Sequence, residues 1–338
     1  GYIGTHTLIS LFKAGFTPVV LDNLSNSSIE ALKQVEIILD NKISFYKGDV
    51  LDKEFLKKIF YENDFEAVIH FAGFKSVSDS CIYPLTYYKN NVTGTLVLLE
   101  IMNEFSIKNF VFSSSATVYC SSVNSPIPED SKLNPSNPYG NSKFMVEEIC
   151  KDLTEYSLNP KETPWNICLL RYFNPIGSHE SGLIGEDPLG KPNNLMPIIS
   201  QVAVGKLDVL SIFGNDYPTK DGTGIRDYIH VCDLADGHVS ALNWLLENKS
   251  TQNNLKAINL GTGHGTSVLE ILNLFEKETG IGIPFVYAPR RLGDIASSYA
   301  DPSLAKSLLN WEAKKSVENM ISDTMRWQSK NPDGYRKS

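Results

Sequence analysis

Five short apolar runs, separated by segments of helical periodicity, constrain this chain more than any other feature of it. Pro18–Leu21, Ile43–Tyr46, Ala67–Phe71, Phe110–Phe112 and Ile167–Leu170 read as strands. Between them, Thr5–Ala14, Lys53–Glu62, Val92–Phe105 and Tyr139–Tyr156 carry apolar side chains at three- and four-residue spacing, as helices with one buried stripe do. Strands that alternate with helices pair through crossovers, so the pattern predicts an α/β fold: a doubly wound parallel sheet covered on both faces. After Asn174 the texture turns to Gly/Pro-rich loops with short helices, which predicts a smaller α/β lobe closing over a ligand. The expected division is therefore 1–173 and 174–338. Asp227–Val231 and Ala257–Gly261 read as strands again, so segments near 227–262 are expected to return to the first domain. The polar residues after about Gln328 are expected to fray.

Composition narrows the ligand. A net charge of -8 and a pI near 5.4 exclude a nucleic-acid surface, which needs a basic field, and leave room for a local cationic pocket. The five cysteines are widely spaced and form no C-x-x-C pair, so neither a disulfide framework nor a metal site is expected. A reducing, cytoplasmic setting fits them. No run of 18 apolar residues exists to span a bilayer.

Gly1-x-x-Gly4 opens a helix, and the next strand ends in Asp22. Glycines there let a backbone approach a pyrophosphate, the helix terminus offers free N–H donors, and an acid takes ribose hydroxyls. The charge of Asp22 favours NAD over NADP. The same residues also suit a tight turn with a helix cap. A turn of this kind is fed by a strand, and that first strand is expected upstream of Gly1, missing from this chain. Gly48-Asp49 offers a second acid at a strand's carboxyl end, where a helix N-cap is the alternative.

Tyr139 and Lys143 lie four residues apart, hence on one face of a helix. A phenol titrates near 10, and bringing it to about 7 needs roughly 4 kcal/mol of preference for the phenolate. A close ammonium and a cationic nicotinamide can supply that. A surface Tyr beside a solvated Lys is the plain alternative, and context decides against it. The strand Phe110–Phe112 runs into Ser113-Ser114-Ser115, which sets a hydroxyl to face the phenol.

With the glycine turn, the serine and the Tyr/Lys pair in order, the chain resembles the extended short-chain dehydrogenases/reductases, and within them the UDP-galactose 4-epimerases. The matching stretches include Val68–Gly73, Phe112–Tyr119, Leu170–Pro175, Pro192–Pro197, Phe213–Tyr217 and, most specific, Gly222–His230. The resemblance implies a Rossmann-type domain with a UDP-sugar-binding lobe, a catalytic set of Ser115, Tyr139 and Lys143, and transient oxidation at C4 of the sugar by bound NAD. It assigns the cofactor to Gly1, Tyr2, Ile3 and Gly4, to Asp22, Asn23, Asp49 and Val50, and to Phe71, Ala72, Gly73, Lys75, Asn90 and Phe173, beside the catalytic three. The UDP-sugar falls to Asn174, Asn193, Asn194, Leu195, Arg226, Arg291 and Asp294. Ser298 falls beside the sugar C2 substituent, where a small residue implies acceptance of N-acetylated sugars as well. The same resemblance implies a role in galactose metabolism and a homodimer, joined by a four-helix bundle from the helices after Val92 and after Tyr139. Cys120, Ser78-Asp79 and Asn141 depart from the family pattern without replacing a reacting group. A sugar-nucleotide 4,6-dehydratase, the nearest rival, has an Asp-Glu pair after the catalytic hydroxyl, where this chain has Ala116-Thr117. A nucleotide-sugar-binding protein without turnover is the rival of another class, against which the intact Ser115, Tyr139 and Lys143 speak.

Overall fold

The structure is a computed structural model that describes residues 1–156, 163–190, 192–248, 252–291 and 293–335. Its first half alternates helix and strand: α1 (Tyr2–Lys13), β1 (Val19–Asp22), α2 (Ile29–Leu39), β2 (Ser44–Lys47), α3 (Lys53–Glu62) and β3 (Ala67–His70). Short helices α4 (Val77–Ile82) and α5 (Pro84–Tyr87) lead through a π turn, Tyr88–Thr93, into α6 (Gly94–Glu104). Then come β4 (Asn109–Ser115), α7 (Pro138–Tyr156) and β5 (Asn166–Tyr172). The later elements are β6 (Asn174–Ile176), α8 (Leu195–Ala203), β7 (Leu210–Phe213), β8 (Ile225–His230), α9 (Val231–Glu247) and β9 (Asn254–Leu260). After them follow β10 (Gly265–Ser267), α10 (Val268–Thr279), β11 (Phe285–Ala288), β12 (Ser297–Ser298), α11 (Ser303–Leu309) and α12 (Val317–Lys330).

The main sheet has the order β3-β4-β5-β9, parallel throughout. Side chains alternate across a strand, so β4 and β5 feed two cores at once. Phe110, Phe112, Ile167 and Leu169 pack with Leu98, Met102 and Val146 of α6 and α7. Val111, Cys168 and Leu170 pack on the other face with Leu234, Ala241 and Leu309 of α9 and α11. Burial on both faces is why these strands read as continuous apolar runs. β1 and β2 form a separate parallel pair, packed by Leu8, Leu32 and Val35 of α1 and α2. Among the described residues no strand pairs with the β1 edge opposite β2 or with the β3 edge opposite β4, and both edges line one cavity.

Of the two later segments expected to return to the first sheet, β9 pairs with β5, whereas β8 pairs with β6, β10 and β12. β7 and β11 make a second separate parallel pair, and α8, α10 and α12 bury Met196, Ile199, Phe275 and Ile321 beneath these strands. Ser267 with Glu270 and Ser316 with Asn319 form capping boxes that fix where α10 and α12 begin. The expected fraying after Gln328 is corrected as far as the chain is described. α12 continues to Lys330, the Tyr335 ring lies 4.7 Å from that of Trp327, and its hydroxyl accepts from the Gly185 N–H at 3.1 Å. A half-buried tyrosine, packed on the buried Trp327, holds a polar stretch that composition alone would leave loose.

Candidate active site

Ser115 ends β4, where a parallel sheet presents its ligand crevice, and is buried there. Its hydroxyl accepts from the Thr117 N–H at 3.2 Å. α7 starts at Pro138, so Tyr139 and Lys143 stand one turn apart on its first two turns. Gly140 lets that end of the helix come close: a Cβ there would lie 2.7 Å from the Thr117 carbonyl oxygen. The Lys143 ammonium donates to the Ser113 carbonyl at 2.7 Å and lies 4.8 Å over the Phe112 ring. Asn91 fixes the pair from the opposite side. Presented by the π turn, it donates to Ser142 Oγ at 3.0 Å and accepts from the Phe74 N–H at 2.8 Å.

The electrostatics differ from the sequence expectation in one respect. Burial raises the Tyr139 phenol above its ordinary value, while the hydrogen bond to Ser115 and the charge of Lys75 act to lower it. Burial pushes Lys143 down to about 8, with Glu147 opposing. The cation acting on the phenol across the site is Lys75, from the loop after β3, because Lys143 is turned to the Ser113 carbonyl.

These groups open on a cavity of about 1090 Å³. At one end lie Gly1, Tyr2, Ile3 and Gly4, on a helix whose first turn has no side-chain cap, with Asp22 beside them. The Asp22 carboxylate accepts from the Leu24 N–H at 2.7 Å and Ser27 Oγ at 3.0 Å. Asn23 and Val50 line the same end, but Asp49 does not: it stands behind, accepting from Asn23 Nδ2 at 2.8 Å and the Leu51 N–H at 2.9 Å. Phe71, Ala72, Gly73, Lys75 and Asn90 form one wall of the middle, and Phe173 lies opposite.

At the far end lie Asn174, Asn193, Asn194, Leu195, Arg226, Arg291 and Asp294. The Arg226 guanidinium donates to the Ile295 carbonyl at 2.9 Å and lies 3.5 Å from Asp294; Arg291 stacks 3.9 Å over Phe213. Ser298 is not in the cavity wall. It pairs with Arg226 across β12 and β8, one strand back. Two groups that sequence reasoning passed over belong here. Asn91 is one; Glu186 is the other, a carboxylate accepting from both Lys75 and Asn194 at 2.8 Å. Burial works against the Lys75 ammonium, yet Glu186 outweighs it and raises its pKa. A lone acid in a Gly/Pro-rich loop has no periodicity to mark it.

An uncapped helix terminus beside a carboxylate suits the pyrophosphate and ribose of NAD, and two guanidinium groups at the other end suit a second diphosphate. Comparison with known proteins agrees. The family described as GDP-mannose 4,6 dehydratase matches residues 1–324. The UDP-glucose 4-epimerase of Bacillus subtilis (strain 168) is 54% identical over 338 residues, covering 100% of this chain and 97% of that protein. The crystal structure of UDP-glucose 4-epimerase from Bifidobacterium longum in complex with NAD+ and UDP superimposes with a TM-score of 0.93 at 46% identity, covering 99% of this chain and 97% of that one. The UDP-Glc/GlcNAc 4-epimerase of Campylobacter jejuni superimposes with a TM-score of 0.81 at 36% identity, covering 98% and 97%. The dehydratase description and the epimerase names diverge, and Ala116-Thr117, in place of the acid pair a dehydratase carries after its hydroxyl, favours the second. Full-length identity above one half, the same fold and the Ser115/Tyr139/Lys143 wall together make the chain a member of the UDP-glucose 4-epimerase family of extended short-chain dehydrogenases/reductases.

Proposed function

We propose that this chain interconverts UDP-galactose and UDP-glucose, using NAD held in the cavity, and that it acts on UDP-GalNAc and UDP-GlcNAc as well. The observation that carries the reading is that Ser115, Tyr139 and Lys143 line the same cavity as a helix terminus with its acid and a pair of arginines. Bound NAD supplies a two-electron acceptor and donor at the sugar C4. Tyr139, as phenolate, takes the proton of the 4-hydroxyl, and Ser115 holds the reacting oxygen and relays the proton. Lys75 favours the phenolate, while Lys143 holds the Ser113 carbonyl at the end of β4. Arg226 and Arg291 grip the diphosphate and leave the keto sugar free to turn, so that its other face meets the same groups.

Residues 1–173 form the cofactor half in this reading and 174–338 mainly the substrate half. The extension to N-acetylated sugars is supported by the small side chain of Ser298 beside Arg226 and by the ring of Tyr299. A Cβ added at Gly265 would lie 2.7 Å from that ring, so Tyr299 packs against the start of β10 and is not in the cavity wall. Apolar side chains exposed on α6 and α7, Leu96 and Met145, support a homodimer through these helices. Five free thiols support a reducing, cytoplasmic setting, and among the described residues no helix is long and apolar enough to cross a membrane.

A coupled assay for UDP-glucose from UDP-galactose, with the nicotinamide absorbance followed as UDP-glucose is added, tests the reading. Epimer formation with a transient reduced-nicotinamide band is expected. A 4-keto-6-deoxy sugar as product would mean dehydration instead, and no product at all would mean binding without turnover.

A further inference from the structure

Behind the catalytic wall lies an ion pair that the proposed reaction does not use. Glu147 and Arg171 have side chains 3% and 4% exposed, and the guanidinium grips both carboxylate oxygens, Nε to Oε1 at 3.0 Å and Nη2 to Oε2 at 2.6 Å. The Ser114 hydroxyl donates to the same carboxylate. Arg171 Nη1 donates onward to the Tyr119 hydroxyl at 3.0 Å and the Glu129 carbonyl at 2.9 Å, and Tyr119 donates to Asn259 at 2.7 Å. One network thus joins α7, β4, β5, β9 and the segment after Ser115. A buried pair of this kind contributes little that apolar side chains of the same volume would not, so stability alone is a weak reason for it.

Position gives a better one. Glu147 is one turn beyond Lys143 on α7, on the same helix face, and Ser114, which it holds, precedes Ser115 in the chain. We propose that the Glu147–Arg171 pair is a positioning device for the catalytic helix, balancing the charge beside Lys143 while fixing α7 to the strand end that carries Ser115. This rests on Tyr139 acting as the base.

Among the described residues, the groups facing Lys143 leave Glu147 as its one anionic support. From α7 these are Tyr139 and Glu147; from β4, the Ser113 carbonyl and the Phe112 ring; from the loop after β3, Gly73. The π turn contributes neutral Asn91. β3 contributes His70, which burial and Lys143 hold down to about 3 and therefore neutral. β5 contributes Arg171, set against Glu147, and Tyr172, whose phenol burial raises. Removing either member of the pair therefore unbalances a buried charge near the ammonium, with opposite signs for the two.

The test is the pH dependence of kcat for the NAD-loaded enzyme, whose acid limb reports phenolate formation. Glu147→Gln leaves Arg171 uncompensated, an added positive charge behind the catalytic helix that favours the phenolate, and should move the limb to lower pH by about half a unit, about a three-fold gain of rate on that limb. Arg171→Met leaves the carboxylate uncompensated, which disfavours the phenolate, and should move it to higher pH. The double variant, with both charges gone, should return the limb near the wild-type position at a lower plateau. Glu147→Asp keeps the charge on a shorter arm and should lower kcat without moving the limb, so the Gln and Asp variants decide the matter even if Arg171→Met fails to fold. Limbs that stay in place, or that move the same way in both single variants, overturn the proposal. If Tyr139→Phe keeps wild-type turnover, the mechanism itself is wrong, whatever the limbs do.

Discussion

Lys143 keeps an ammonium 5% exposed, with the Ser113 carbonyl as its hydrogen-bond acceptor, and burial brings its pKa down to about 8 from an ordinary 10.5. Below pH 8 it is protonated in both folded and unfolded chain, and the cost of burying the charge is complete. As pH rises from about 8 to 10.5 the folded state releases its proton first, and that cost fades. Lys143→Met should therefore raise Tm at pH 7, by on the order of 2 °C without added cofactor, while turnover falls about 100-fold or more. Calorimetry at pH 7 and pH 10 checks this, since the gain should shrink at the higher value; a lower Tm at pH 7 would refute it. Ser298 carries a second expectation. Ser298 lies behind the cavity wall, paired with Arg226, so Ser298→Tyr acts by reaching past Arg226 into the cavity; it should remove turnover of the N-acetylhexosamine nucleotides and spare that of UDP-glucose, since overpacking costs about 1–3 kcal/mol. No N-acetylhexosamine turnover in the wild type, or none lost in the variant, would sink the gate. At this scale the reacting residues were legible because their chemistry dictates spacing, a phenol and an ammonium one helical turn apart. Asn91 and Glu186 were not, since each acts on a neighbour brought in from far away in the chain, Ser142 and Lys75 respectively.

Gly140 shows how an element is placed as well as formed. A methyl group there would sit 2.7 Å from the Thr117 carbonyl and 2.9 Å from Pro135, so Gly140→Ala must lift the first turn of α7 away from the segment after Ser115. The expected cost is about 1–3 kcal/mol of stability, with kcat reduced more than NAD retention because the Ser115–Tyr139 separation changes first. Unchanged kcat with a lowered Tm would separate packing from catalysis and refute the coupling. Helix α7 was readable from its periodicity, and so were the strands buried on both faces. α2 was passed over: Glu30, Lys33, Gln34 and Glu36 break up its apolar residues, and its C-cap is Asp40 at a positive φ of 48°, where Gly is the usual signal. The helix read from Val92 begins as a π turn, which no 3.6-residue period can reveal, and β6, β10 and β12 are too short for any period to show.

On the whole molecule, α6 and α7 spend their inner faces on the core and leave an outer face unsatisfied. Leu98, Leu99 and Met102 of α6 and Val146 and Cys150 of α7 are buried, while Leu96 is 39% and Met145 47% exposed. α4 and α5 pack on α7 and add Ile82 and Leu85, 65% and 81% exposed. Two copies pairing α6 and α7 would bury this surface in a four-helix bundle related by a two-fold axis, where each helix meets its own counterpart. A stable interface of that type takes roughly 1,200–2,000 Å² in total, which two helices per chain can supply. Charge should undo it: Leu96→Asp with Met145→Asp places four carboxylates in a desolvated seam, and burying an unpaired charge costs far more than the contacts there return. The expected outcome is a dimer for the wild type and a monomer for the double variant by light scattering, with an unchanged far-ultraviolet spectrum, because both side chains point away from the sheet. A wild type already monomeric at micromolar concentration, or a double variant still dimeric, would show that the chain associates by another face or not at all.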